Sequence, residues 1–141
     1  IAAEKLIANG DLWMAGGMGS GGGRDGSVVE TPRTLRAIAA LDFDTVLPGH
    51  GDLFKGKEAL NKSITSTEAL IAKVKASYDA GDYVERMLEL VQPPARAGGR
   101  TGYAQYVPYL TLASADGWKR DYIRAYEEIE LRNQLGLAPL P

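Results

Sequence analysis

Apolar positions along the chain follow two rhythms, and each predicts a different element. Short unbroken runs read as strands. One is Lys5-Leu6-Ile7-Ala8, closed by Asn9-Gly10-Asp11, with Leu12-Trp13-Met14-Ala15 continuing it after a kink. The other is Phe43 to Leu47, stopped by Pro48-Gly49. Steps of three and four residues read as helices. Leu35, Ile38, Ala39 and Leu41 form the first such stripe, with Thr31 as its cap and Pro32 in the first turn. Leu60, Ile64, Ile71, Val74 and Tyr78 mark a long helix from Lys57 to Ala80, ended by Gly81. Asp82 is placed to cap a helix over Tyr83–Val91, with Met87, Leu88 and Val91 as core candidates. A last helix from Gly117 to Leu135, capped by Asp116, carries Trp118, Tyr122, Ala125, Tyr126 and Ile129 on one side and most of its charges on the other.

Between these elements the composition changes. Gly16 to Gly26 is a glycine-dense loop, and Asp52 to Gly56 is a connector. Gln92-Pro93-Pro94 breaks the pattern, a linker follows to Thr101, and Tyr103, Tyr106 and Tyr109 then gather in an aromatic stretch kinked by Pro108. Strand, loop, helix, strand is an α/β order, with the helix covering one face of a sheet. The reading is therefore α/β for residues 1–91 and a helical extension for 92–141 packing on it.

Composition narrows the classes. The 141 residues suffice for one domain with a real core, and 45% hydrophobic with 24% charged residues is ordinary for a globular chain. A net charge of −2 gives no reason to expect nucleic acid or an anionic membrane as partner. No apolar run approaches a membrane span. The absence of cysteine removes disulfides and thiolate metal sites.

The candidate chemistry gathers at His50, the single histidine. It sits at the mouth of a predicted strand between Gly49 and Gly51, which permit unusual backbone angles and leave space beside the ring. A neutral imidazole so placed can aim one nitrogen at a metal while an acceptor holds the other. The plain alternative is a polar turn residue. The rival motif is Gly-x-Gly-x-x-Gly at Gly17, Gly19 and Gly22. A dinucleotide site needs a helix opening on the last glycine, whereas Arg24-Asp25-Gly26-Ser27 prolongs the loop, and no Gly-Lys-Ser/Thr follows for a phosphate loop.

Val46-Leu47-Pro48-Gly49-His50-Gly51-Asp52, preceded by Leu41-Asp42-Phe43-Asp44, resembles the late zinc-histidine segment of the metallo-β-lactamase fold superfamily. Gly10-Asp11-Leu12-Trp13, about forty residues earlier, is similar to the segment that carries its metal-bridging carboxylate. The resemblance implies the second half of an αββα sandwich hydrolase. It makes Asp11 and His50 metal ligands, zinc (one ion or two) the cofactor, and a small ester, amide or thioester the substrate class. A carboxylate suits the bridging place because its two oxygens can contact two cations.

The superfamily's His-x-His-x-Asp-His signature is absent, and a catalytic zinc ordinarily takes three protein ligands. The expectation is therefore a carboxy-terminal fragment, inactive alone, whose partner is the missing amino-terminal half of the domain or another covering chain. The competing hypothesis is a metal-free binding or structural module that uses its aromatic carboxy-terminal helices. The discriminator is convergence. Donors sharing one zinc bring their atoms within roughly 3–4 Å of each other, and the module hypothesis has no need of that.

Overall fold

A computed structural model describes residues 5–15, 17–18, 26–84, 86 and 117–137. They fall into two compact units, one within Ile1–Ala72 and one within Lys73–Pro139, and the boundary lies inside a long helix. The helix expected over Tyr83–Val91 lies largely outside the described residues, as do the linker, the aromatic stretch Tyr103–Tyr109 and the Trp118 side chain.

The first unit is a small mixed sheet with helices. β1 (Leu6–Gly10) pairs in parallel with β4 (Thr45–Pro48), which pairs antiparallel with β5 (Phe54–Lys55). A separate two-stranded ribbon joins β2 (Trp13–Met14) to β3 (Gly17–Met18). Two connecting stretches expected to be irregular thus contribute strands. Gly17–Met18 lies inside the expected glycine loop, and Phe54–Lys55 inside the expected connector. Both are two-residue strands held by a neighbour's free edge rather than by any pattern of their own.

The helix α1 (Thr31–Ala39) starts where expected but is capped differently. Thr31 is already helical, and Glu30 takes the cap position without a side-chain bond. Ser27 organises the turn instead, accepting from the Glu30 amide at 3.0 Å on Oγ and from the Thr31 hydroxyl at 2.6 Å on its carbonyl. Pro32 and Leu35 are buried, Ile38 and Ala39 half-buried, while Leu41 lies outside the stripe and is exposed. At the other end, Lys57 Nζ donates to the carbonyls of Ala39 (2.8 Å) and Leu41 (2.6 Å) and lies 4.8 Å from the centre of the Phe43 ring. A cation there satisfies carbonyls that the end of a helix leaves without partners.

Among the described residues a core cluster of this unit is formed by Trp13, Leu35, Phe43, Val46, Ala59, Leu60 and Ile64, with Ile7, Ile38, Ala39 and Phe54 packed on it. Phe43 precedes β4 rather than lying in it, yet its side chain is buried, with its ring 6.5 Å from that of Trp13. The sheet alternates as a pleat requires. Ile7 and Val46, which are register partners, face this core, whereas their neighbours Ala8 and Leu47 are exposed. Arg36 of α1 forms an ion pair with Glu68 of α2 (Glu58–Asp79).

α2 matches the expected long helix. Leu60, Ile64 and Val74 are buried, Ile71 and Tyr78 half-buried, and the small residues Ala59, Ser63, Thr67 and Ser77 fill the same side. In the second unit its last turns meet α3 (Gly117–Gln134) through an edge-on pair of Tyr78 and Tyr126, ring centres 5.3 Å apart. Ile123, Ala125 and Ile129 are buried. Both helices end in the same way. Gly81 (φ 80°) and Gly136 (φ 62°) adopt left-handed angles, and two amides fold back on each helix end: Gly81 to Tyr78 and Asp82 to Ser77, Gly136 to Asn133 and Leu137 to Arg132. This is the two-bond glycine stop that a helix needs to satisfy its last carbonyls. Among the described residues no helix is long and apolar enough to cross a membrane.

Candidate functional site

Parallel strands carry their carboxy-terminal ends to one edge of a sheet, and groups just beyond those ends gather there. β1 and β4 do this for Asp11 and His50. Their register runs Leu6–Thr45, Ile7–Val46 and Ala8–Leu47, then jumps to Gly10–Pro48, so Asn9 is an extra residue on β1. Such a bulge bends its strand and re-aims the side chains just beyond it. Here the bulged Asn9 turns its side chain into the interior and donates through Nδ2 to the Trp13 carbonyl at 2.6 Å. The Leu12 amide donates to the Asn9 carbonyl at 3.2 Å. Asp11 is thereby held in a closed turn between Asn9 and Trp13. Two atoms in this turn, Asn9 Oδ1 and Trp13 Nε1, are buried without a hydrogen-bond partner.

On the neighbouring strand the Gly49 amide donates to the Gly10 carbonyl at 2.7 Å, continuing the ladder by one bond. His50 comes directly after, and its Nδ1 lies 2.8 Å from Asp11 Oδ1. The two side chains are reachable from solvent, His50 being 75% exposed and Asp11 46%. A pair this wet contributes at most about 1 kcal/mol by itself. Its geometry therefore rests on the backbone beneath it.

The glycines on either side of His50 have different functions. Gly51 has φ of 90°, and no atom lies within 4 Å of where its Cβ would be, so it is required for conformation. Gly49 has no left-handed angle but no room: a Cβ there would sit 2.6 Å from Asp11 Oδ1 and 3.1 Å from the Gly10 carbonyl carbon. The sequence anticipated space beside the imidazole; the space is occupied by the carboxylate.

The structure thus brings together the two residues singled out from sequence. Its donors are of the kinds zinc accepts, one imidazole nitrogen and one carboxylate, but two fall short of the three protein ligands that a catalytic zinc ordinarily takes. Among the described residues no group of three or more His, Cys, Asp or Glu side chains is arranged to hold a metal. The residues that sequence reasoning passed over are Asn9, read as part of a closing turn, and Gly49 in its steric role. No local signal marks a bulge, since it is decided by the partner strand's register. Elsewhere, burial raises the pKa of the Tyr122 phenol in the second unit.

The glycine stretch is followed by a helix only at Thr31, and its first described residues, Gly17–Met18, lie in a strand. Gly19 and Gly22 of the rival motif lie outside the described residues. No protein-family model matches the chain, and no curated protein matches it.

Proposed function

We propose that this chain is the second half of a zinc-dependent hydrolase of the metallo-β-lactamase kind, contributing Asp11 and His50 to a metal centre whose remaining ligands come from outside its sequence. The observation that carries the reading is the 2.8 Å approach of the only imidazole in the chain to a carboxylate 39 residues away, at the shared end of two parallel strands. In such enzymes a bound zinc acidifies water and supplies a hydroxide nucleophile at neutral pH. The part taken by this chain is to present and orient donors at the rim of the sheet. The substrate class is a small ester, amide or thioester.

The outer face of the sheet supports a covering partner. Leu6-Ile7-Ala8 and Val46-Leu47 are continuous apolar runs, the composition of parallel strands covered on both faces. Among the described residues the Ile7–Val46 face packs on the core cluster of the first unit, and Leu47 on the other face is 45% exposed.

Calorimetric titration of zinc into the 141-residue chain tests the proposal. Weak binding that disappears in His50→Ala is the expected result, with no hydrolysis of ester or thioester probes by the chain alone. Binding of equal strength in His50→Ala would overturn the assignment of the centre, and zinc-dependent turnover by the isolated chain would overturn its role as an incomplete half.

A further inference from the structure

We infer that Asp11 and Gly49 act as a positioning pair for the His50 ring: Asp11 holds the ring hydrogen on Nδ1, Gly49 keeps the space that lets it do so, and Nε2 is the nitrogen offered to a metal. The inference rests on the proposed zinc centre for the identity of the ion, and it narrows the part of Asp11 from a ligand shared with His50 to the group behind it.

Donor and acceptor chemistry places the hydrogen. An ionised carboxylate only accepts hydrogen bonds, so at 2.8 Å the hydrogen between the two groups belongs to Nδ1. A neutral imidazole carries one N–H, which leaves Nε2 with its lone pair free. Nδ1 and Nε2 point away from one another across the ring, so an ion on Nε2 is out of reach of the carboxylate that holds Nδ1. A carboxylate or carbonyl on the second ring nitrogen is the ordinary support of a metal-binding histidine, fixing tautomer and ring orientation.

Gly49 enters through space alone. Its backbone angle is open to any residue, yet a methyl group there would overlap Asp11 Oδ1 at 2.6 Å and press on the Gly10 backbone at 3.1 Å. The carboxylate is the softer of the two obstacles. An alanine therefore expels Oδ1 from its place and releases Nδ1.

Because the chain has one histidine, its imidazole nitrogens give a single set of signals in a long-range proton–nitrogen spectrum. At mildly alkaline pH, where a free imidazole is neutral and keeps its hydrogen mainly on Nε2, the wild-type chain is expected to show the opposite form as the majority, with Nδ1 protonated. Asp11→Ala and Gly49→Ala are expected to restore the free-imidazole preference while amide spectra report an intact fold. Zinc added to the wild type is expected to shift Nε2, with affinity falling about 10–100-fold in either variant, the loss typical of an outer partner. A wild-type ring protonated on Nε2, or a Gly49→Ala ring unchanged from wild type, overturns the positioning role whatever zinc does. The Nδ1-protonated form reverting in both variants while zinc leaves Nε2 unmoved upholds the positioning role and removes the zinc reading instead.

Discussion

Two groupings of polar side chains, one in each unit, are placed in opposite ways. In the second, polar atoms are turned inward and paired: Tyr126 donates to the Asp82 carbonyl at 2.7 Å, and Ser77 to the Asp82 carboxylate at 2.8 Å. Glycines there close helices. In the first, Asp11 and His50 stand at strand ends with much of their surface in solvent, and glycines space them. The difference separates packing from chemistry. A hydroxyl tied to a backbone carbonyl within a helical unit has its capacity used; an imidazole anchored by one nitrogen at an exposed sheet edge keeps the other for a ligand.

The comparison is broken most severely through the core beneath the site. Trp13 is fully buried, closes the turn that holds Asp11 and packs against Phe43. Trp13→Ala is expected to cost about 3–5 kcal/mol, measured by denaturant unfolding, with hydrogen exchange reporting loss of protection in β1 and β4. A cost below about 1 kcal/mol, the level of an ordinary surface change, would mean that the ring does not support the strand ends. Next in size is Gly51→Ala. Forcing alanine into a left-handed angle costs about 1–2 kcal/mol, so this variant is expected to lose stability, whereas Gly49→Ala loses the Asp11 contact at smaller cost. Equal stabilities would erase the distinction between the two glycines. The mildest is Tyr126→Phe, which removes one hydrogen bond and should cost about 0.5–1.5 kcal/mol. Its unfolding midpoint is expected to fall slightly while the His50 ring signals stay in place; movement of those signals would show that the helical unit also governs the site.

The helices were readable because periodicity and stop signals agreed. The α2 stripe, its glycine stop and the α3 span all derive from spacing. Pro32 and Thr31 marked the start of α1, but the identity of the cap was not legible, since Ser27 four positions upstream does the bonding. Leu41 shows the limit of periodicity. It continues the stripe on paper, yet the helix has ended two residues earlier and the side chain is outside. β5 and the β2–β3 ribbon carry no pattern because two-residue strands are too short to alternate. At the site, resemblance selected Asp11 and His50 together, and folding places them in contact. The bulge at Asn9 and the crowding at Gly49 were not readable, because both are relations between two strands and neither strand alone encodes them.

Lys57 gives the fold one more property. A single ammonium group spans the exit of α1, the ring of Phe43 and the entry to α2. β4 begins just beyond Phe43 and delivers His50 from its far end, so this amine pins the strand's root as the Gly10–Gly49 bond pins its tip. An acyl group on that one nitrogen would abolish its charge and these contacts, leaving the root to its backbone bonds with Lys5 and Gly56.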